Sequence, residues 1–296
     1  MSRVKMFEGE KGLVITSLIG FLLAALTAFF ILIRGPIVLP EGNLGDAFSF
    51  NAAIGIFILS IAAILPLAGY SVRKKKVIRW LFISASLYAY AVETIQHFRG
   101  LNPRFSREGS AIDIIAGAVF GIDSLLLVTL CFLLMIQFFK VSQRPLVILG
   151  IRYAFVSVFA ANLAGIGMIL LQSRFTGSEG NLIVLHGLGF HALQTLILPG
   201  WLLGKVQDSE RLKKWIIHSG SLAWMFAIIL IGVQTALGQS VFEFTLLPVL
   251  AGTMLLVWLG TALVSLVLFM NREKDLQTKE MKCLEKPITD QFTMIK

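Results

Sequence analysis

Eight mostly apolar stretches, each near the roughly 20 residues a helix needs to cross a hydrocarbon core, follow one another along the chain. They lie at about residues 13–33, 50–70, 80–97, 112–139, 150–171, 182–204, 215–237 and 243–269. Backbone N–H and C=O groups find no partner in lipid, so such runs must close their hydrogen bonds within helices. Composition agrees: 56% of the 296 residues are hydrophobic and 15% charged, against roughly 25% charged in a soluble domain. The expected fold is an all-α, polytopic integral membrane protein with about eight transmembrane helices and the lipid bilayer as its main surroundings. The first stretch, Leu13 to Ile33, is too long for a signal-peptide core and lacks a small-x-small cleavage site, so it is expected to stay as a span. The third and sixth stretches are the least apolar, since they carry Glu93 and His97, and His186, His191 and Gln194.

The net charge of +9 could suit nucleic acid, but the basic residues fall in short clusters between apolar runs, which is a topology signal. Placing both termini in the cytoplasm, with the chain in the cell membrane, leaves only Arg34, Arg99, Arg104, Arg107 and Arg174 of the 26 Lys and Arg outside. Three of those five share one loop, RGLNPRFSREGS. They are read as headgroup contacts and helix caps, or as an anion clamp, because a guanidinium can hold carboxylate or phosphate in a bidentate fork.

The tetrapeptide EGNL occurs at Glu41 to Leu44 after the first span and at Glu179 to Leu182 after the fifth. An offset of four spans preserves orientation. Pro66 and Pro199 lie near the inner ends of the spans that follow, and Arg79-Trp80 and Lys214-Trp215 open the next ones. These pairs suggest two parallel four-helix units, residues 1–140 and 141–271, followed by a flexible cytoplasmic tail at 272–296.

Ionisable residues within spans are costly and mark candidate sites. Glu93 and His97, four apart, share one face of the third span. Counting 1.5 Å per residue from Leu182 puts His186 roughly 6 Å and His191 roughly 13 Å below the outer boundary, so three of the four histidines occupy the outer half. His191 shares a face with Gly187 and Gln194. Asp123, Gln234, Glu243, Asn51 and Asn162 are weaker candidates, with hydrogen bonding between helices as their plainer role. The two cysteines, Cys131 and Cys283, form no CxxC pair. Phosphate-loop, GxSxG and CxxCH signatures are absent from the sequence.

Three functions fit these residues. In the first, His97 and His186 or His191 bind a haem, a metal or a quinone near the outer face. Glu93 or Gln194 then stands behind them, Arg104 or Arg107 meets haem propionates, and His97 and His191 are the metal ligands. The layout of two four-helix units with outer histidines resembles haem A synthases in architecture only, and spans two and eight here carry no histidine. In the second, the ionisable residues line a route for protons or a small solute. In the third, the chain assists assembly or binds a partner, and its polar residues serve packing alone. The haem reading requires spans three and six to face a common cavity, with the His97 and His191 side chains within about 12 Å, which one flat cofactor could bridge.

The topology is open to direct test. Reporter fusions after Lys76, Arg144 and Lys213 should read cytoplasmic, and fusions near Glu41, Arg107 and Glu179 external. An external signal from the Arg73 to Lys76 cluster would overturn the orientation.

Overall fold

The computed structural model describes residues 5–104 and 106–290, with the final stretch 275–290 given by its backbone alone. Among the described residues the elements run α1 (Lys11–Arg34), β1 (Ile37–Val38), β2 (Gly42–Asn43), α2 (Leu44–Ile64) with a 3-10 turn (Leu65–Ala68), α3 (Val72–Phe98) and α4 (Ala111–Lys140). There follow α5 (Pro145–Leu171), β3 (Phe175–Thr176), β4 (Gly180–Asn181), α6 (Leu182–Thr195), α7 (Ile197–Leu203), α8 (Glu210–Ala236) and α9 (Leu246–Asp290). The chain is an all-α, multi-pass membrane protein. Seven of its helical segments are long and apolar enough to cross a membrane. The eighth, α3, is as long but opens with Arg73, Lys74, Lys75 and Lys76 and carries Glu93. Its polarity, foreseen for this span, is what separates it from the others.

The surface explains the composition. Leu18, Leu22, Phe29 and Leu32 of α1 and Leu256 and Leu263 of α9 point outward, where lipid rather than water meets them. The interior joins both halves of the chain: Phe57, Phe82, Leu134, Phe138, Ile151, Phe155 and Leu196 belong to one cluster. Phe57 of α2 meets Phe190 of α6 edge-on, with centroids 5.3 Å apart.

The two halves follow the same element order at a spacing of 138 residues. Leu44 and Leu182 begin α2 and α6, Ser71 and Ser209 cap α3 and α8, and Phe98 and Ala236 end those helices. The backbone bonds correspond as well. Glu41 N–H donates to Gly100 O and Glu179 N–H to Gly238 O, while Leu44 N–H donates to Pro36 O and Leu182 N–H to Arg174 O. Asn43 and Asn181 each cap the next helix through the side chain, supplying an acceptor to amides that have none within the helix. In both halves the hairpin lies on the end of the third helix. A Cβ on Gly42 would run into His97 O, and one on Gly180 into Thr235 O, 2.5 Å away.

Some expectations need correction. At the 138-residue spacing Pro66 does not correspond to Pro199, nor Arg79-Trp80 to Lys214-Trp215. Pro66 sits in the 3-10 turn that ends the second span, whereas Pro199 lies within α7, after the break that divides the sixth. Past residue 271 the α9 backbone is helical to Asp290. Glu, Lys, Gln and Met, which dominate that extension, are good helix formers.

Close backbone packing carries a stability prediction. A Cβ on Gly150 of α5 would strike Leu196 O and lie 3.2 Å from Ile197 Cα, whereas one on Gly121 of α4 would meet nothing. Gly150→Ala should therefore destabilise the protein by about 1–3 kcal/mol, and Gly121→Ala should be neutral or mildly stabilising. Thermal unfolding in detergent measures both.

Candidate functional site

The site is built where the first hairpin closes over the end of α3. Glu41, three residues before α2 and in the EGNL segment, organises the loop that follows α3. Its carboxylate accepts from Asn102 N–H (3.3 Å), Ser106 Oγ–H and Arg107 N–H (2.8 Å). The Ser106 hydroxyl first, and then the Arg107 amide, hold the Glu41 carboxyl below its ordinary pKa. At the loop's far end Asp113 completes a capping box with Ser110 and also accepts from Gln96 Nε2 (3.0 Å) and from Arg99. These carboxylates fix where Arg104 stands.

Arg104 reaches back over the end of α3. Its guanidinium lies 5.3 Å from the ring centroids of both Phe50 of α2 and Phe120 of α4, and its Nη2 is 2.8 Å from Glu93 Oε2. Glu93 is wholly buried and Arg104 partly exposed. A desolvated carboxylate in such a place costs several kcal/mol without a partner, and the loop-borne arginine supplies one. His97 Nε2 faces Glu93 Oε1 at 3.4 Å, while its Nδ1 accepts from Asn43 N–H at 3.1 Å. Accepting at Nδ1 places the ring proton on Nε2, toward the carboxylate.

A polar stripe descends from here. Ser86, Tyr90, Glu93 and His97 recur at helical spacing on one face of α3, and all four are buried. Among the described residues Ser86 Oγ, Tyr90 Oη, Glu93 Oε1 and His97 Nε2 lack a well-aligned hydrogen bond, as do Asn51 Oδ1 of α2 and Asp123 Oδ2 of α4. Gly20 of α1 leaves room for the Tyr90 hydroxyl, which a Cβ there would strike. Asn51 is tied to α3 through Nδ2–H to Thr94 Oγ1, 2.9 Å. Toward the basic end of α3 the face closes with buried Phe82, and then with Arg79, whose Nε and Nη2 donate to the two oxygens of buried Glu10 at 2.6 and 2.8 Å. From Arg79 to His97 the rise is about 27 Å, close to the hydrocarbon thickness.

The sequence candidates therefore separate. Glu93, His97 and Arg104 come together. Arg107 contributes its amide to Glu41, and no side-chain bond joins it to the cluster. His186 donates from Nδ1 to Ala161 O (2.8 Å) and lies edge-on to Phe190. His191 donates from Nδ1 to Gln194 Oε1 (3.2 Å), and Gln194 Nε2 donates to Ser60 Oγ (2.6 Å), a separate link between α6 and α2. His97, His186 and His191 thus bond to separate partners, although α2 packs against both α3 and α6. Among the described residues no group of three His, Cys, Asp or Glu could hold a metal. Sequence reading passed over Ser86 and Tyr90, although stepping back from Glu93 by three and then by four residues reaches them. It also passed over the role of Glu41, whose loop partners lie about 60 residues away in sequence.

The loop should respond to acid. Because the Glu41 pKa is lowered in the folded protein, its contribution is present above the unfolded carboxyl value near 4.3. It is lost as pH falls through the lower folded value. Hydrogen-exchange protection factors, corrected for the intrinsic pH dependence, should be high over residues 101–104 and 106–110 near neutral pH and fall below about pH 4, and Glu41→Gln should show the low protection already at pH 7. Unchanged protection in that variant would refute the role given to Glu41.

No family model matches the chain. Comparisons with curated proteins and with solved structures likewise give no match.

Proposed function

We propose that this membrane protein conducts protons, or a small solute that hydrogen-bonds as water does, along the buried face of α3, with Glu93 taking up and releasing the proton. We place the hairpin end outside the cell membrane and both termini in the cytoplasm, on the distribution of Lys and Arg. The reading also takes the two halves to be copies of one four-helix unit, a view supported by the shared 138-residue spacing of their elements.

The observation that carries the proposal is the contrast between equivalent helices. At the positions of Ser86, Tyr90, Glu93 and His97, α8 has Trp224, Ile228, Ile231 and Thr235, also buried. The corresponding positions of α8 thus form an almost wholly apolar buried face. Polar groups on α3 are costly, and their retention favours use over packing. Successive side chains on that face stand about one helical turn apart, a spacing that single waters can bridge. A proton entering beside Arg104 would pass from water to the Glu93 carboxylate, which His97 Nε2–H faces, and onward through the Tyr90 and Ser86 hydroxyls. Phe82 and the Glu10–Arg79 pair close the far end in this conformation.

Haem ligation is less well supported. The Nδ1 lone pair of His97 is occupied by Asn43 N–H, and its Nε2 proton faces Glu93. Iron ligation through either nitrogen would require the Asn43 N–H bond to be broken.

Protein in vesicles loaded with a pH-sensitive dye should acidify the lumen when a potassium diffusion potential, inside negative, is imposed. Glu93→Gln should lower the rate at least tenfold, a loss of about 1.4 kcal/mol or more in barrier terms. Tyr90→Phe, which leaves the Arg104 pair intact, should slow it as well. Wild-type flux equal to that of empty vesicles would overturn the reading, and so would full flux in both variants.

A further inference from the structure

The lipid-facing side of α3, opposite the polar stripe, carries a shallow open trough of about 380 Å³ lined by Lys76, Val77, Trp80, Leu81 and Ser84. Its walls are apolar and it begins at the cluster Arg73, Lys74, Lys75 and Lys76. None of these four pairs with a carboxylate among the described residues, whereas the nearby Arg79 is fully engaged by Glu10. Trp80 is 58% exposed, and its indole N–H has no acceptor among the described residues. The Ser84 hydroxyl is turned onto Trp80 O at 2.9 Å.

We infer that this trough is a binding site for an anionic glycerophospholipid. An acyl chain would lie along Val77, Trp80 and Leu81, and the phosphate would meet Lys76 and the Trp80 N–H, with Arg73 and Lys74 beside the headgroup. Charge complementarity commits the site to a negatively charged lipid. Unpaired basic side chains beside the end of a span attract anionic headgroups, and an indole at that level has its apolar body in the chains and its donor in the headgroups. The equivalent end of α8 differs in part: Glu210 binds Lys213 at 2.6 Å and Lys213 donates to Val206 O, while Arg211 and Lys214 pair with no carboxylate among the described residues and Trp215 is exposed.

Dibrominated phosphatidylglycerol and dibrominated phosphatidylcholine, each titrated into phosphatidylcholine vesicles containing the protein, test the site. The signal read is the Trp80 fluorescence, taken as the difference between wild type and Trp80→Phe. The anionic quencher should saturate this component at a low mole fraction, on the order of 10%. The zwitterionic one should quench only in proportion to its amount. Replacing Arg73, Lys74 and Lys76 together by Gln, all on the exposed surface, should abolish the difference between the two lipids. Equal quenching by both lipids would refute the site. A linear rise with anionic lipid would reduce it to a diffuse charged layer, and an unchanged preference in the triple variant would remove its basic residues.

Discussion

A polar group removed from water must find its partner inside the protein, and in a bilayer that demand holds along the whole length of every span. It accounts for the helices, and also for the way they end. Asn43 and Asn181 accept from the first amides of α2 and α6. Gln137 Nε2 donates to Ala68 O at 2.7 Å where α2 passes into its turn, and Arg152 donates to Phe138 O and Val141 O at the end of α4. Charged side chains in the interior obey the same demand: Glu10 is met by Arg79 and Glu93 by Arg104.

Against that background, the face of α3 stands out because the demand is only half met there. Arg104 meets one oxygen of Glu93, yet among the described residues its other oxygen and oxygens of Tyr90, Ser86, Asn51 and Asp123 lack hydrogen bonds. Each such group costs on the order of a few kcal/mol when left dry, which makes the face a natural place for water. The hairpin and the loop held by Glu41 determine how that face meets the outside, since they fix the arginine that covers the carboxylate.

The two halves illustrate how one helical plan supports different chemistry. Both use the same hairpin, the same asparagine cap and the same serine cap. In the first, the third helix presents Glu93 to the bundle; in the second, Ile231 occupies that place and Trp224 donates to Ser157 Oγ at 3.1 Å. The buried polar residues of the second half are spread over α5, α8 and α9, and on α6 Gln194 bonds to Ser60 and helps join the halves.

The sequence by itself determined that the chain is a bundle of membrane helices, because apolar length and charge clustering are local properties that any window of residues displays. It also placed Glu93 and His97 on one face, since four residues make about one turn. EGNL, at Glu41 and Glu179, carries the 138-residue spacing that the helices follow, whereas Pro66 and Pro199 depart from it because the second and sixth spans end differently. Only the tertiary structure decided which polar groups meet. That Arg104 covers Glu93 depends on Glu41 holding a loop some 60 residues further on. That Gln194 in turn reaches Ser60 of α2 depends on which helices pack together, a choice that no pattern along one helix displays.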